Sequence, residues 1–132
     1  MAPHAHTILL VEDDADGAEA LRAILEGEGY VVRLAGDGRQ GQKAIEQGGV
    51  DLVLTDILMP NQDGLEMLLA CRRHNAQMPV IAMSGGSSRM PEMDLPKFAG
   101  MLGARAGFAK PLNLPLLLST IAGLLPARAP SA

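Results

Sequence analysis

The sequence predicts a doubly wound α/β domain, a five-stranded parallel sheet in the order 2-1-3-4-5 with helices on both faces. Short β-rich apolar runs alternate with stretches of helical periodicity from Thr7 to Leu125. No hairpin signal separates neighbouring runs, so crossovers join the strands and the pairing is parallel. The runs are also continuously apolar, as strands covered on both faces must be.

Thr7 to Val11 (TILLV) is the first strand, and Glu12-Asp13-Asp14 follows it directly. Ala18, Leu21, Ile24 and Leu25 recur at helical spacing, closing at Gly27 and Gly29. Tyr30 to Ala35 (YVVRLA) is the second strand. Gly38 to Gln47 is a weaker helix, because Gly41 interrupts it and only Ala44 and Ile45 are clearly apolar. Val50 to Thr55 forms the third strand and delivers Asp56 to the sheet edge. Met59-Pro60 stops regular structure, since proline lacks an N–H and biases its predecessor away from helix. Asp63 is the expected N-cap of the next helix, with Glu66 completing a capping-box pattern before Leu65, Leu68 and Leu69, and the helix ends near His74-Asn75.

Pro79 to Met83 (PVIAM) is the fourth strand, ended by Ser84-Gly85-Gly86. Ser87 to Gly103 carries Pro91 and Pro96, which predicts an irregular segment with a short helix from about Pro96. Gly107 to Ala109 is a brief fifth strand ending at Lys110-Pro111. Asn113 caps the last helix, whose stripe is Leu114, Leu117, Leu118, Ile121 and Leu125. Pro115 is tolerated in its first turn, where N–H groups lack helical partners anyway. The expected domain spans residues 7–125, between a disordered N-terminus (1–6) and a disordered tail (126–132).

With 132 residues, 48% of them hydrophobic, the chain suits one domain with a substantial core. A net charge of −4 with both signs dispersed, one Tyr, two Phe and no Trp argues against a nucleic-acid surface. No run approaches the ~20 apolar residues of a membrane span, and Met1 to Thr7 lacks a signal-peptide pattern, so the expectation is a cytoplasmic protein without membrane contact. Cys71 is alone and reads as a small core residue in a reduced compartment. His4 and His6 have no third ligand nearby and read as part of a solvated terminus.

Open α/β sheets bind ligands beyond the carboxyl ends of their strands. Four of the expected strand ends carry a reactive group: Glu12-Asp13, Asp56, Ser84 and Lys110. In the 2-1-3-4-5 order strands one and three are neighbours, so Asp13 and Asp56 stand close, and like charges that close raise a pKa unless a cation intervenes. A hard divalent ion with oxygen ligands, Mg²⁺ foremost, meets that need. With Lys110 as a positive charge and Ser84 as a donor, the set suits a carboxylate nucleophile attacking a phosphoryl group. Taken singly, these residues read as solvated loop or N-cap. Together, with Met-Pro and Asp-Gly at fixed offsets from Asp56, they are specific.

On ILLVEDD, LTDILMPNQDG, IAMSGG and FAKP, the chain resembles the receiver domains of bacterial two-component response regulators, of the stand-alone chemotaxis-regulator type, over about residues 7 to 125. The resemblance implies a flavodoxin-like (βα)5 fold. It implies that Asp56 accepts a phosphoryl group from a histidine kinase or histidine phosphotransfer protein. It further implies that Asp13, Asp56 and the Leu58 backbone carbonyl hold Mg²⁺, with Glu12 assisting through water. Ser84 corresponds to the switch hydroxyl, and Gly85 and Lys110 join it around the phosphoryl group, while Asp14 falls outside the acidic pair. Receivers usually carry Tyr or Phe three residues before the lysine, and that output surface falls here on Gly107 and Phe108. One step along a strand flips the face, so Phe108 is expected to point into the core. Ser84 to Lys110 also spans more residues than is usual, the excess lying in the proline-bearing segment.

The expected function is a stand-alone phosphoacceptor switch, a monomer or weak dimer that presents a protein-binding surface to a downstream protein target and is not an enzyme in the ordinary sense. Without an aromatic at 107, the expected route of the signal runs from Ser84 through Gly85-Gly86 into residues 87–102. A degenerate receiver acting as a binding module is the alternative, against which Asp13, Asp56 and Lys110 are all present. A phosphohydrolase of the haloacid dehalogenase type needs a second Asp where Leu58 stands. An FMN-binding flavodoxin-like protein needs a hydroxyl-rich loop where Glu12-Asp13-Asp14 would repel a phosphate.

Overall fold

The computed structural model describes residues 5–56, 63–84 and 103–125. The Met59-Pro60 stop, Leu58, Gly85, the segment 87–102 with its expected short helix, most of the N-terminus and the tail lie outside the described residues. The described strands are β1 (Thr7–Val11), β2 (Val31–Ala35), β3 (Leu52–Asp56), β4 (Val80–Ser84) and β5 (Ala106–Ala109). The described helices are α1 (Ala15–Gly27), α2 (Gly38–Gln47), α3 (Asp63–His74) and α4 (Leu114–Leu124). All described strand pairs are parallel, in the order β2-β1-β3-β4-β5.

Side chains alternate across a strand, so a sheet covered on both faces needs apolar residues at every position. Ile8, Leu10, Leu52, Leu54, Ile81 and Met83 pack on one face in the cluster that holds Leu21 and Leu25 of α1 and Leu117 and Ile121 of α4. Leu9, Val11, Val53 and Val80 pack on the other, with Ile45 of α2 and Met67, Leu68 and Cys71 of α3. Every residue of β3 is buried, whereas edge strand β2 leaves Val31 and Leu34 exposed. Cys71 is a free thiol in the core, as its place on the helical pattern predicts.

Gly41 corrects the sequence reading. α2 runs through it without a break, and the glycine is buried. A Cβ there would sit 3.1 Å from both Met67 Cγ and Val11 Cγ2, so its missing side chain lets α2 approach β1 and α3 closely. The helix gains a further hold at its start. Asp37 accepts a hydrogen bond from the Gln40 N–H at 2.8 Å, and Gln40 Oε1 accepts one from the Gly36 N–H at 3.0 Å, a reciprocal cap.

α3 begins at Asp63 itself, so the expected cap residue is the helix's first residue. Its last turn carries Arg72, Arg73 and His74, cations that suit the negative end of the helix dipole. Arg72 donates to the carbonyls of Ala76 at 3.1 Å, Met78 at 2.8 Å and Gly103, tying the loop before β4 to the approach to β5. Asn113 caps α4 as expected, its side chain accepting from the Leu116 N–H at 3.1 Å. Among the described residues no helix is long and apolar enough to cross a membrane.

The contact at Gly41 yields a prediction. Gly41→Val forces two methyls against Met67 and Val11 and is expected to cost about 1–3 kcal/mol despite removing a helical glycine. Urea denaturation measures it, and a variant as stable as the parent would show that α2 has room there.

Candidate functional site

Three chemical groups are brought to one place by strand parity. Glu12 lies two residues beyond Leu10, Asp56 two beyond Leu54 and Lys110 two beyond Phe108, so all three start from the face that packs against α1 and α4. Backbone bonds fix two of them past the ends of their strands. The Glu12 N–H donates to the Ala35 carbonyl at 3.0 Å, and the Lys110 N–H to the Ser84 carbonyl at 2.8 Å, each extending a sheet ladder by one rung. Asp56 is the last residue of β3, paired with Met83 of β4.

Glu12 and Asp56 are each only 6% exposed, while Asp13 is exposed. One carboxylate oxygen from each of the three lies within 4.8 Å of the others. The Lys110 ammonium stands between the two buried members, donating to a Glu12 carboxylate oxygen and, at 3.3 Å, to Asp56 Oδ2. The Asp14 N–H donates to Glu12 Oε1 at 3.1 Å. Asp14 therefore enters the site through its backbone, while its side chain makes no capping bond to α1.

The two partners respond differently to this environment. Burial pushes the Glu12 carboxyl above its ordinary value, and the bonds from Lys110 and the Asp14 N–H only partly offset it. Burial pulls Lys110 down, but the Glu12 hydrogen bond and the charges of Asp56 and Glu12 outweigh it, so its pKa is raised. Lys110 is thus a firm cation at neutral pH, set among three clustered carboxylates. Their all-oxygen donor set, with no His or Cys in the group, fits a hard divalent ion such as Mg²⁺.

Of the residues singled out from sequence, the structure brings Glu12, Asp13, Asp56 and Lys110 together. Ser84 is half-buried at the end of β4 and starts from the opposite face, next to Val80 and Ala82 in parity, so its described link to the site is its carbonyl bond to Lys110. Phe108 is 9% exposed in the α1/α4 core, as the one-step shift predicts, which removes its ring from the expected output surface and leaves only Gly107 there. Leu58 and Gly85 lie outside the described residues. Glu12, expected to act through water, also bonds Lys110 directly. Sequence reasoning passed over Thr55, a fully buried hydroxyl whose only signal is one polar atom in an apolar run.

A groove of about 270 Å³ opens from Glu12 and Lys110, lined further by Asp14, Gly17 and Leu21 on the α1 side and by Leu112. The groove therefore reaches the buried Glu12 carboxylate and Lys110. Buried carboxylate, cation and acidic cluster at the carboxyl end of a parallel sheet can hold a metal ion and accept a phosphoryl group.

Residues 8–122 match the family model for the response regulator receiver domain. The uncharacterized transcriptional regulatory protein YkoG of Bacillus subtilis is 37% identical over 119 residues, covering 89% of this chain and 50% of that protein. The transcriptional regulatory protein CpxR of Escherichia coli is 35% identical over 119 residues, 89% of this chain and 48% of that protein. The chain spans about half the length of these curated relatives. Among solved structures, a CheY-like response regulator receiver domain protein from Methanospirillum hungatei superposes with a TM-score of 0.79 at 32% identity, over 92% of this chain and 94% of that one. The response regulator TrrA of Thermotoga maritima, solved in complex with Mg²⁺ and BeF, superposes with a TM-score of 0.74 at 28% identity, over 90% of this chain and 98% of that one.

Lys110→Met tests the electrostatics. In metal-free buffer at about pH 8 it is expected to cost about 1–3 kcal/mol, less than a fully buried pair because the Lys110 side chain is 29% exposed. A carboxyl whose folded pKa is raised binds its proton better in the folded state, so its contribution to stability grows as pH falls and is lost as pH rises through that pKa. The deficit of Lys110→Met should therefore narrow as pH falls, because proton uptake by Glu12 removes the charge that the ammonium compensates. Urea denaturation across a descending pH series measures this, and a deficit that widens on acidification would contradict it.

Proposed function

The chain belongs to the response regulator receiver family of two-component signalling, and from that premise we propose that it is a phosphoacceptor switch whose acceptor is Asp56. The observation that carries this reading is the convergence of Glu12, Asp13 and Asp56 with Lys110 beyond the ends of β1, β3 and β5. The donor is the phosphohistidine of a histidine kinase or histidine phosphotransfer protein. An Asp56 carboxylate oxygen attacks the phosphorus, the P–N bond breaks, and its electron pair leaves with the imidazole. Lys110, already held as a cation, neutralises charge on the phosphoryl oxygens.

Asp13, Asp56 and the Leu58 carbonyl would hold Mg²⁺, with Glu12 reaching it through water; bound there, the ion supplies charge compensation between acceptor and phosphoryl group. The Lys110 ammonium, which already bonds Asp56, exchanges Glu12 for the oxygens of a phosphoryl group on Asp56. The Lys110 backbone N–H donates to the Ser84 carbonyl and so adjoins the end of β4, where the Ser84 hydroxyl and Gly85 take part in the switch. The change is read by a downstream protein target at a surface that includes Gly107. The unit is restored by hydrolysis rather than turning over a separate substrate. It acts in the cytoplasm as a monomer or weak dimer, and its contacts are with protein rather than nucleic acid or membrane.

Asp56→Asn, isosteric and uncharged, is expected to abolish phosphoryl uptake from acetyl phosphate in Mg²⁺ while leaving the circular dichroism spectrum unchanged. Incorporation at the parental level would move the acceptor elsewhere. Asp13→Ala is expected to weaken Mg²⁺ binding by about tenfold or more through loss of an ion ligand. Isothermal titration reads it, and an unaltered affinity would remove Asp13 from the ligand set.

A further inference from the structure

Glu12, Thr55 and Asp56 are the buried polar or charged residues among those described, and Thr55, at 0% exposure, is the most enclosed of them. A hydroxyl so placed must find an acceptor, and Thr55 Oγ1 donates to the backbone carbonyl of Asp56 at 3.1 Å. The register shows why this matters. β3 pairs with β1 as far as Val11↔Thr55, and with β4 one residue further, to Asp56↔Met83. At Asp56 the strand thus passes from support on both sides to support from β4, and the Thr55 hydroxyl adds a restraint at that step.

We propose that Thr55 is a positioning residue for phosphoryl transfer: its buried hydroxyl holds the Asp56 carbonyl and so fixes the peptide from which the acceptor carboxylate projects. Alternation sends the Thr55 side chain toward the α2/α3 layer, away from Glu12, Lys110 and the Asp56 carboxylate. It therefore acts only through the backbone and touches neither donor nor metal. This inference rests on the reading of Asp56 as the acceptor.

Two substitutions separate a positioning hydroxyl from a packing side chain. Thr55→Val keeps the shape and deletes the hydroxyl, while Thr55→Ser keeps the hydroxyl and deletes the methyl. If Thr55 only fills space, the valine variant behaves as the parent and the serine variant suffers. If it positions Asp56, the order reverses. Phosphorylation by acetyl phosphate in saturating Mg²⁺ is followed for the parent, both variants, Thr55→Ala as a second hydroxyl-free form, and Asp56→Asn, with circular dichroism confirming the fold at the assay temperature. The expected result is a rate lower by about tenfold in the hydroxyl-free variants, with Thr55→Ser within about twofold of the parent, as losing a supporting hydrogen bond behind a site typically does. A parental rate in Thr55→Val, or a serine variant as slow as the hydroxyl-free ones, overturns the proposal. Labelling of Asp56→Asn would instead overturn the acceptor assignment itself, whatever the Thr55 variants do.

Discussion

Carboxylates buried at the end of a parallel sheet repel one another and lose the water that would solvate them, so they persist only where positive charge is supplied. In this protein the first supply is the Lys110 ammonium, bonded to both Glu12 and Asp56. The rest of the structure serves that contact. Parallel pairing in the order β2-β1-β3-β4-β5 puts the ends of β1 and β3 side by side with that of β5 two strands away. Added ladder bonds at Glu12 and Lys110 hold both residues in strand-like backbone beyond the strand ends. The helices bury the sheet and lower the local dielectric, which makes the repulsion and its compensation large.

Among the described residues one ammonium, that of Lys110, is bonded to two of the three clustered carboxylates. On the function proposed above, a metal ion and a phosphoryl group would join this cluster, and the phosphoryl oxygens would compete with Glu12 for the lysine. On that proposal the response to phosphorylation is a redistribution of partners around Lys110. The Lys110 backbone N–H is bonded to the Ser84 carbonyl, which places the end of β4 beside the residue whose ammonium changes partners on that proposal.

Much of this was legible in the sequence, for a physical reason. Strands covered on both faces must be continuously apolar, so a charged residue just past such a run marks a carboxyl end, and Glu12, Asp56 and Lys110 each stand at one. The same parity argument placed Phe108 in the core. Features that depend on packing between elements distant in the chain were not legible. Gly41 reads as a helix breaker until Met67 and Val11 are seen against it. Thr55 reads as an ordinary strand residue until its hydroxyl is found with no exposure and an acceptor one residue away. The direct bond between Glu12 and Lys110 joins the ends of β1 and β5, elements on opposite sides of β3, and no local pattern in either stretch announces it.

A crystal structure of the protein with Mg²⁺ and beryllofluoride tests the account most directly, because it occupies metal site and phosphoryl site together. The expected structure has the beryllium group on an Asp56 carboxylate oxygen, the ion among the oxygens of Asp13 and Asp56, and the Lys110 ammonium moved from Glu12 onto a fluorine. Beryllofluoride bound away from Asp56, or a Lys110 still paired with Glu12 beside a bound beryllium group, would contradict it.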